Sequence, residues 1–87
     1  MKPTIEDVFA SLRAFREERD WVQFHDPKNL AEAISIEAGE LLELFLWKTT
    51  GESSSLSPRE LDKLEEEVAD ILIFLMYLAG SFDINLL

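Results

Sequence analysis

The sequence predicts an all-α fold, an antiparallel bundle of three main helices that is completed by oligomerisation. Three observations lead there. Apolar residues recur at helical spacing in three separate stretches, and two of these open on strong helix-start signals, Asp26-Pro27 and Ser57-Pro58. No stretch shows the period-two alternation of a strand, and no internal repeat stands out. Finally, 87 residues make one small domain whose single core leaves little margin, so association with further copies is expected to finish it.

Helix one is predicted over residues 4–19. Ile5, Val8, Phe9, Leu12 and Phe15 share one face, Thr4 is suited to cap the first turn, and Glu6 and Asp7 suit its positive end. The stretch Asp20-Trp21-Val22-Gln23-Phe24-His25 is aromatic without a clear period. Asp26 as N-cap and Pro27 at the first helical position then start helix two, predicted over 27–48. At about 100° per residue Leu30, Ile34, Leu41, Leu44 and Phe45 fall on one arc. Glu37 projects into the middle of that arc and Glu40 lies at its edge, beside Ala33 and Trp47. Ile36, Leu42 and Leu46 lie outside the arc, which predicts a second buried face against another subunit.

Residues 49–57 are polar and rich in Gly and Ser, and read as an exposed, mobile connection. Ser57-Pro58-Arg59-Glu60 has the capping-box pattern and opens helix three, predicted over 58–80. Its expected core arc is Leu61, Leu64, Val68, Ile71, Leu72, Leu75 and Leu78, with Glu67, Asp70, Phe74 and Tyr77 as the adjoining stripe. The apolar tail from Ser81 stops abruptly, as if a following element were missing or very short.

Composition narrows the function. Eighteen acidic residues against eight basic ones give a formal net charge of -10, which argues against a basic patch for DNA or RNA, so no nucleic-acid polymer is expected as a partner. If phosphates bind, metal ions must supply much of the positive charge. Without cysteine there is no disulfide framework, thiolate metal site or cysteine nucleophile. The N-terminus lacks an apolar signal region, and the longest apolar run, Ile71 to Gly80, is about half of what a membrane span requires. A soluble, cytoplasmic protein without membrane partners is the expectation.

Two acidic pairs, Glu37-Ala38-Gly39-Glu40 and Glu67-Val68-Ala69-Asp70, are embedded in the most apolar parts of the chain. Their i, i+3 spacing puts both carboxylates of each pair on one helix face, one turn apart. Unpaired carboxylates are costly to bury, so a hard divalent cation between the pairs is the natural counter-charge. A di-iron or di-manganese bundle needs Glu-x-x-His motifs; the only histidine, His25, has no Glu three residues before it. Magnesium, with manganese as a substitute, is therefore favoured. Glu65, Glu66, Glu17 and Glu18 read as solvated charges.

Glu37-x-x-Glu40, then 26 residues, then Glu67-x-x-Asp70 resembles the signature of the MazG-like all-α nucleoside triphosphate pyrophosphohydrolases. The stretch Glu18-Arg19-Asp20-Trp21, with Phe24-His25, Pro27-Lys28-Asn29-Leu30, Glu37 to Leu41 and Phe45-Leu46-Trp47-Lys48, resembles the dCTP pyrophosphatase branch of that family. The resemblance covers nearly the whole chain, residues 1–87, as one MazG-like helical domain. It implies hydrolysis of a (deoxy)nucleoside triphosphate, such as dCTP or a modified deoxynucleotide, to the monophosphate and pyrophosphate, a house-cleaning activity. It further implies that Glu37, Glu40, Glu67 and Asp70 hold magnesium against the triphosphate and that Glu37 or Glu40 acts as base toward water.

By the same resemblance Trp21 and Trp47 meet the base, Lys28 and Lys48 meet phosphate, and His25, Asn29 and Phe74 belong to the substrate pocket. Relatives in the vertebrate-like branch carry a histidine and a tyrosine in that pocket where this chain has Leu12 and Phe74, which bears on base preference. Family members also continue into a further C-terminal helix, so the chain reads as a compact variant or a fragment. A homodimer or homotetramer is implied. The competing expectations are a non-catalytic acidic helical interaction module and a nucleotide-binding sensor without turnover.

Overall fold

The computed structural model describes residues 2–18 and 26–86. Its helices are α1 (Ile5–Glu18), α2 (Pro27–Phe45) and α3 (Pro58–Ser81), with a short 3-10 turn at Glu52–Ser54, and no strand occurs among the described residues. The all-α expectation is met.

Each helix start is built from the side chains that the sequence offers there. The Thr4 hydroxyl accepts from the Asp7 amide at 3.1 Å while the Asp7 carboxylate accepts from the Thr4 amide at 3.0 Å. Asp26 accepts the Asn29 amide at 2.8 Å and its side-chain NH2 at 3.0 Å. Ser57 and Glu60 form the complete capping box, at 3.1 and 3.0 Å. These bonds satisfy amides that have no partner within the helix.

α2 ends earlier than its predicted boundary, at Phe45, and Leu46-Trp47 turn out of the helix with the Lys48 amide bonded to the Phe45 carbonyl at 3.0 Å. The connection that follows is more structured than its composition suggests. Thr49 and Glu52 exchange two side chain to backbone bonds at 2.9 and 3.2 Å, and the Ser53 hydroxyl donates to the Thr50 carbonyl. Lys48 spans the corner to Glu60 at 2.7 Å, fixing the end of α2 to the start of α3.

α2 packs along α3, and α1 lies against the C-terminal half of α3. Leu30, Met76, Tyr77 and Ala79 are buried, and Glu67 is buried with them. α1 is fixed at two levels of α3. A Cβ at Gly80 would stand 2.7 Å from the Phe9 ring, so the absence of a side chain there lets the helices approach. One turn on, the Tyr77 hydroxyl donates to the Leu12 carbonyl at 3.0 Å, and the Arg16 guanidinium stacks over the Tyr77 ring at 4.6 Å.

The chain covers only part of the expected core arc of α3: Leu64, Ile71 and Leu78 are half-buried. Leu61, Val68, Leu72 and Leu75 are all more than two-fifths exposed, whereas Glu67 and Tyr77, from the adjoining stripe, are buried. α3 is apolar around much of its circumference, and the other described helices cover only part of it. Ile36, Leu42 and Leu46 of α2 are likewise exposed. Ile5, Val8, Leu72, Leu75, Met76 and Leu86 line an apolar hollow of about 310 Å³. No described helix is long and apolar enough to cross a membrane.

Candidate metal centre

The packing of α2 on α3 brings three of the four predicted acids together. One carboxylate oxygen each from Glu37, Glu67 and Asp70 lies within 4.8 Å of the others. Oxygen atoms across a single octahedral shell with bonds of 2.0–2.1 Å stand about 4 Å apart, so the three are nearly close enough to share one small cation. They differ in exposure: Glu67 is buried at 1%, Glu37 is half-buried and Asp70 faces solvent. Such a gradient leaves one side of the cluster open for water or a ligand.

Glu67 carries the cost of this arrangement. One of its oxygens, Oε1, is 2.9 Å from the Lys63 ammonium, and the other, Oε2, is buried with no hydrogen-bond partner. A buried acceptor left unsatisfied is expensive. Hard oxygen donors and an orphaned buried carboxylate oxygen fit a divalent cation of the magnesium type.

The electrostatics agree. Glu37 is pushed up to about 7, first by its hydrogen-bonding contact with Glu67, then by burial and the charges of Glu40, Glu67 and Asp70. Glu67 is held below the usual carboxylate range by the same contact with Glu37 and by Lys63, against the opposing effect of burial. Without a cation the pair therefore shares a proton that resides on Glu37, as carboxyls forced together do.

Glu40 is half-buried on the same helix as Glu37, contributes to raising it and makes a hydrogen-bonding contact with Glu67, so it borders the three converging groups. Phe74 is half-buried one turn beyond Asp70 on α3. Trp47 is 91% exposed, beyond the end of α2. Lys48 is engaged with Glu60, and Lys28 reaches solvent beside Glu32 at 3.6 Å. Asn29 binds the Asp26 cap with both backbone and side chain. Trp21 and His25 lie outside the described residues. Sequence reasoning missed Lys63, although its place four residues before Glu67 is the signal that would have found it.

Comparison with known proteins bears on the same residues. The family model described as MazG-like matches residues 33–87, which include both acidic pairs. The chain is 48% identical to dCTP pyrophosphatase 1 of Homo sapiens and 47% identical to that of Bos taurus, with 98% of this chain aligned in each case. It covers 51% and 52% of those proteins, so it spans about half the length of the curated relatives it matches. The crystal structure of a pyrophosphatase from Archaeoglobus fulgidus DSM 4304 superposes with a TM-score of 0.86 at 42% identity, over 98% of this chain and 80% of that one. The two acidic pairs, the helical architecture that joins them and the family match over most of the chain lead to one conclusion: this chain belongs to the MazG-like family.

Proposed function

We propose that the chain is a magnesium-dependent nucleoside triphosphate pyrophosphohydrolase, converting a (deoxy)nucleoside triphosphate to the monophosphate and pyrophosphate. The observation that carries this reading is the convergence of Glu37, Glu67 and Asp70, with one buried Glu67 oxygen left without a hydrogen-bond partner. Relatives named dCTP pyrophosphatase 1 favour a substrate of the dCTP type; modified deoxynucleotides as further substrates, a house-cleaning role and a cytoplasmic location belong to the same proposal.

Glu37, Glu67 and Asp70, with Glu40 beside them, would hold Mg2+, for which Mn2+ could substitute. When bound, the cation supplies the positive charge that a chain of net charge -10 cannot offer a triphosphate, and it lowers the pKa of water at the site. Glu37 would hold the cation as the carboxylate, having given up its proton. Either Glu37 or Glu40 would act as base toward the attacking water. Phe74, half-buried one turn beyond Asp70, is the aromatic residue on α3 that would meet a base or sugar. Trp21, His25, Lys28, Asn29, Trp47 and Lys48 complete the substrate set in this reading. The open side chains Ile36, Leu42, Leu46, Leu61, Val68 and Leu72 support assembly as a homodimer or homotetramer.

The test is a panel of standard and modified deoxynucleoside triphosphates incubated with Mg2+, with monophosphate and pyrophosphate both measured. Equimolar release of the two, lost on chelation, is expected. Nucleotide binding without release would instead identify a sensor, and indifference to both nucleotide and metal a non-catalytic interaction module.

A further inference from the structure

Lys63 is the one cation that the described residues place on the acidic cluster itself. Its ammonium sits 2.9 Å from Glu67 Oε1 and 3.9 Å from a Glu66 oxygen. The two partners are unlike: the Glu67 side chain is 2% exposed, that of Glu66 is 72% exposed, and Lys63 itself is 48% exposed. Lys63 thus enters from solvent on a flexible stem to neutralise a carboxylate that has been taken out of water.

We propose that Lys63 is an intramolecular competitor of the divalent cation, occupying Glu67 in the metal-free chain and retreating toward Glu66 when the metal is bound. The inference rests on the metal reading above. A cation at the trio would share Glu67 with the ammonium only a few ångströms away, and like charges at that separation repel strongly where water is scarce. Retreat is easy, because Glu66 already lies within ion-pair distance and faces solvent. The tether also has a use. It stops Glu67 from standing as an uncompensated buried charge when no metal is present, so the site keeps its shape at the expense of affinity.

The measurement is Mn2+ binding without nucleotide, read from the electron paramagnetic resonance of the free ion, on the wild type, K63M, K63Q, K63R and R59Q. Removing an ion pair of this partly exposed kind should tighten Mn2+ binding about three- to tenfold in K63M and K63Q. K63R should keep the wild-type affinity. R59Q removes the same unit of charge from an exposed site on the first turn of α3, and should leave binding unchanged. The tightening should persist in about 0.5 M KCl, where distant charges are screened. Equal or weaker binding in the helical K63M and K63Q variants, or equal tightening in R59Q, overturns the competitor role while the metal centre stands. Absence of Mn2+ binding in a helical wild type overturns the metal centre, and the competitor role with it.

Discussion

Replacing Glu37 with Gln should stabilise the metal-free chain at pH 8 while removing its response to magnesium. In the folded chain Glu37 titrates at about 7 against an ordinary value of 4.5. The folded state therefore binds more protons than the unfolded state between these two values, and stability falls as pH rises through that window. The stabilising protonated form is fully present below pH 4.5 and lost above about 7. A shift of this size at ~1.4 kcal/mol per unit sets a ceiling of about 3 kcal/mol, and solvent screening of a half-buried group reduces it to about 1 kcal/mol. Glutamine offers Glu67 an N–H donor in place of the O–H of a protonated Glu37, and it cannot ionise.

E37Q should accordingly melt about 4–8 °C above the wild type at pH 8 in EDTA, and converge with it near pH 4.5. Circular dichroism melts at the two pH values measure this. Added Mg2+ should raise the wild-type melting temperature and leave that of E37Q unchanged. An E37Q that melts below the wild type at pH 8, or that keeps the same offset at both pH values, would refute the shared-proton account of the cluster.

Four further substitutions separate catalysis from folding. Asp70→Asn and Glu40→Gln should each abolish pyrophosphate release with helicity nearly intact; wild-type rates would make the acidic pairs structural. Ser57→Ala removes half of the capping box at the start of α3 and should cost about 1 kcal/mol, seen as a lower denaturation midpoint in urea with an unchanged slope. Tyr77→Phe deletes the bond to the Leu12 carbonyl but keeps the ring under Arg16, and should cost about 1 kcal/mol; amide exchange should quicken in α1 before α3.

The helix starts were fully legible because capping is local. Asp26-Pro27 and Ser57-Pro58-Arg59-Glu60 fall within a single turn, and the structure shows their bonds as the sequence implies. The end of α2 was less so. Nothing in Leu46-Trp47-Lys48 forbids helix, and the corner is held by Lys48 reaching Glu60, a partner twelve residues away. The Thr49–Glu52 exchange hid in a segment whose composition signals only a loop.

The sequence by itself determined the all-α class, the two acidic pairs and their family, since helical period and i, i+3 spacing are properties of one chain segment and its neighbours. Only the tertiary structure decided which acids meet. α2 against α3 brings Glu37 to Glu67 and Asp70, with Glu40 reaching Glu67 from the next turn of α2, an arrangement that depends on the crossing of two helices. It also decided which face of α3 is covered. Leu61, Val68, Leu72 and Leu75 have the hydrophobicity of a core, yet Glu67 is buried and they are exposed. Hydrophobicity identifies the surfaces that gain from burial, but the packing of α2 on α3 decides which of them is covered, and here it takes in a carboxylate whose charge Lys63 then offsets.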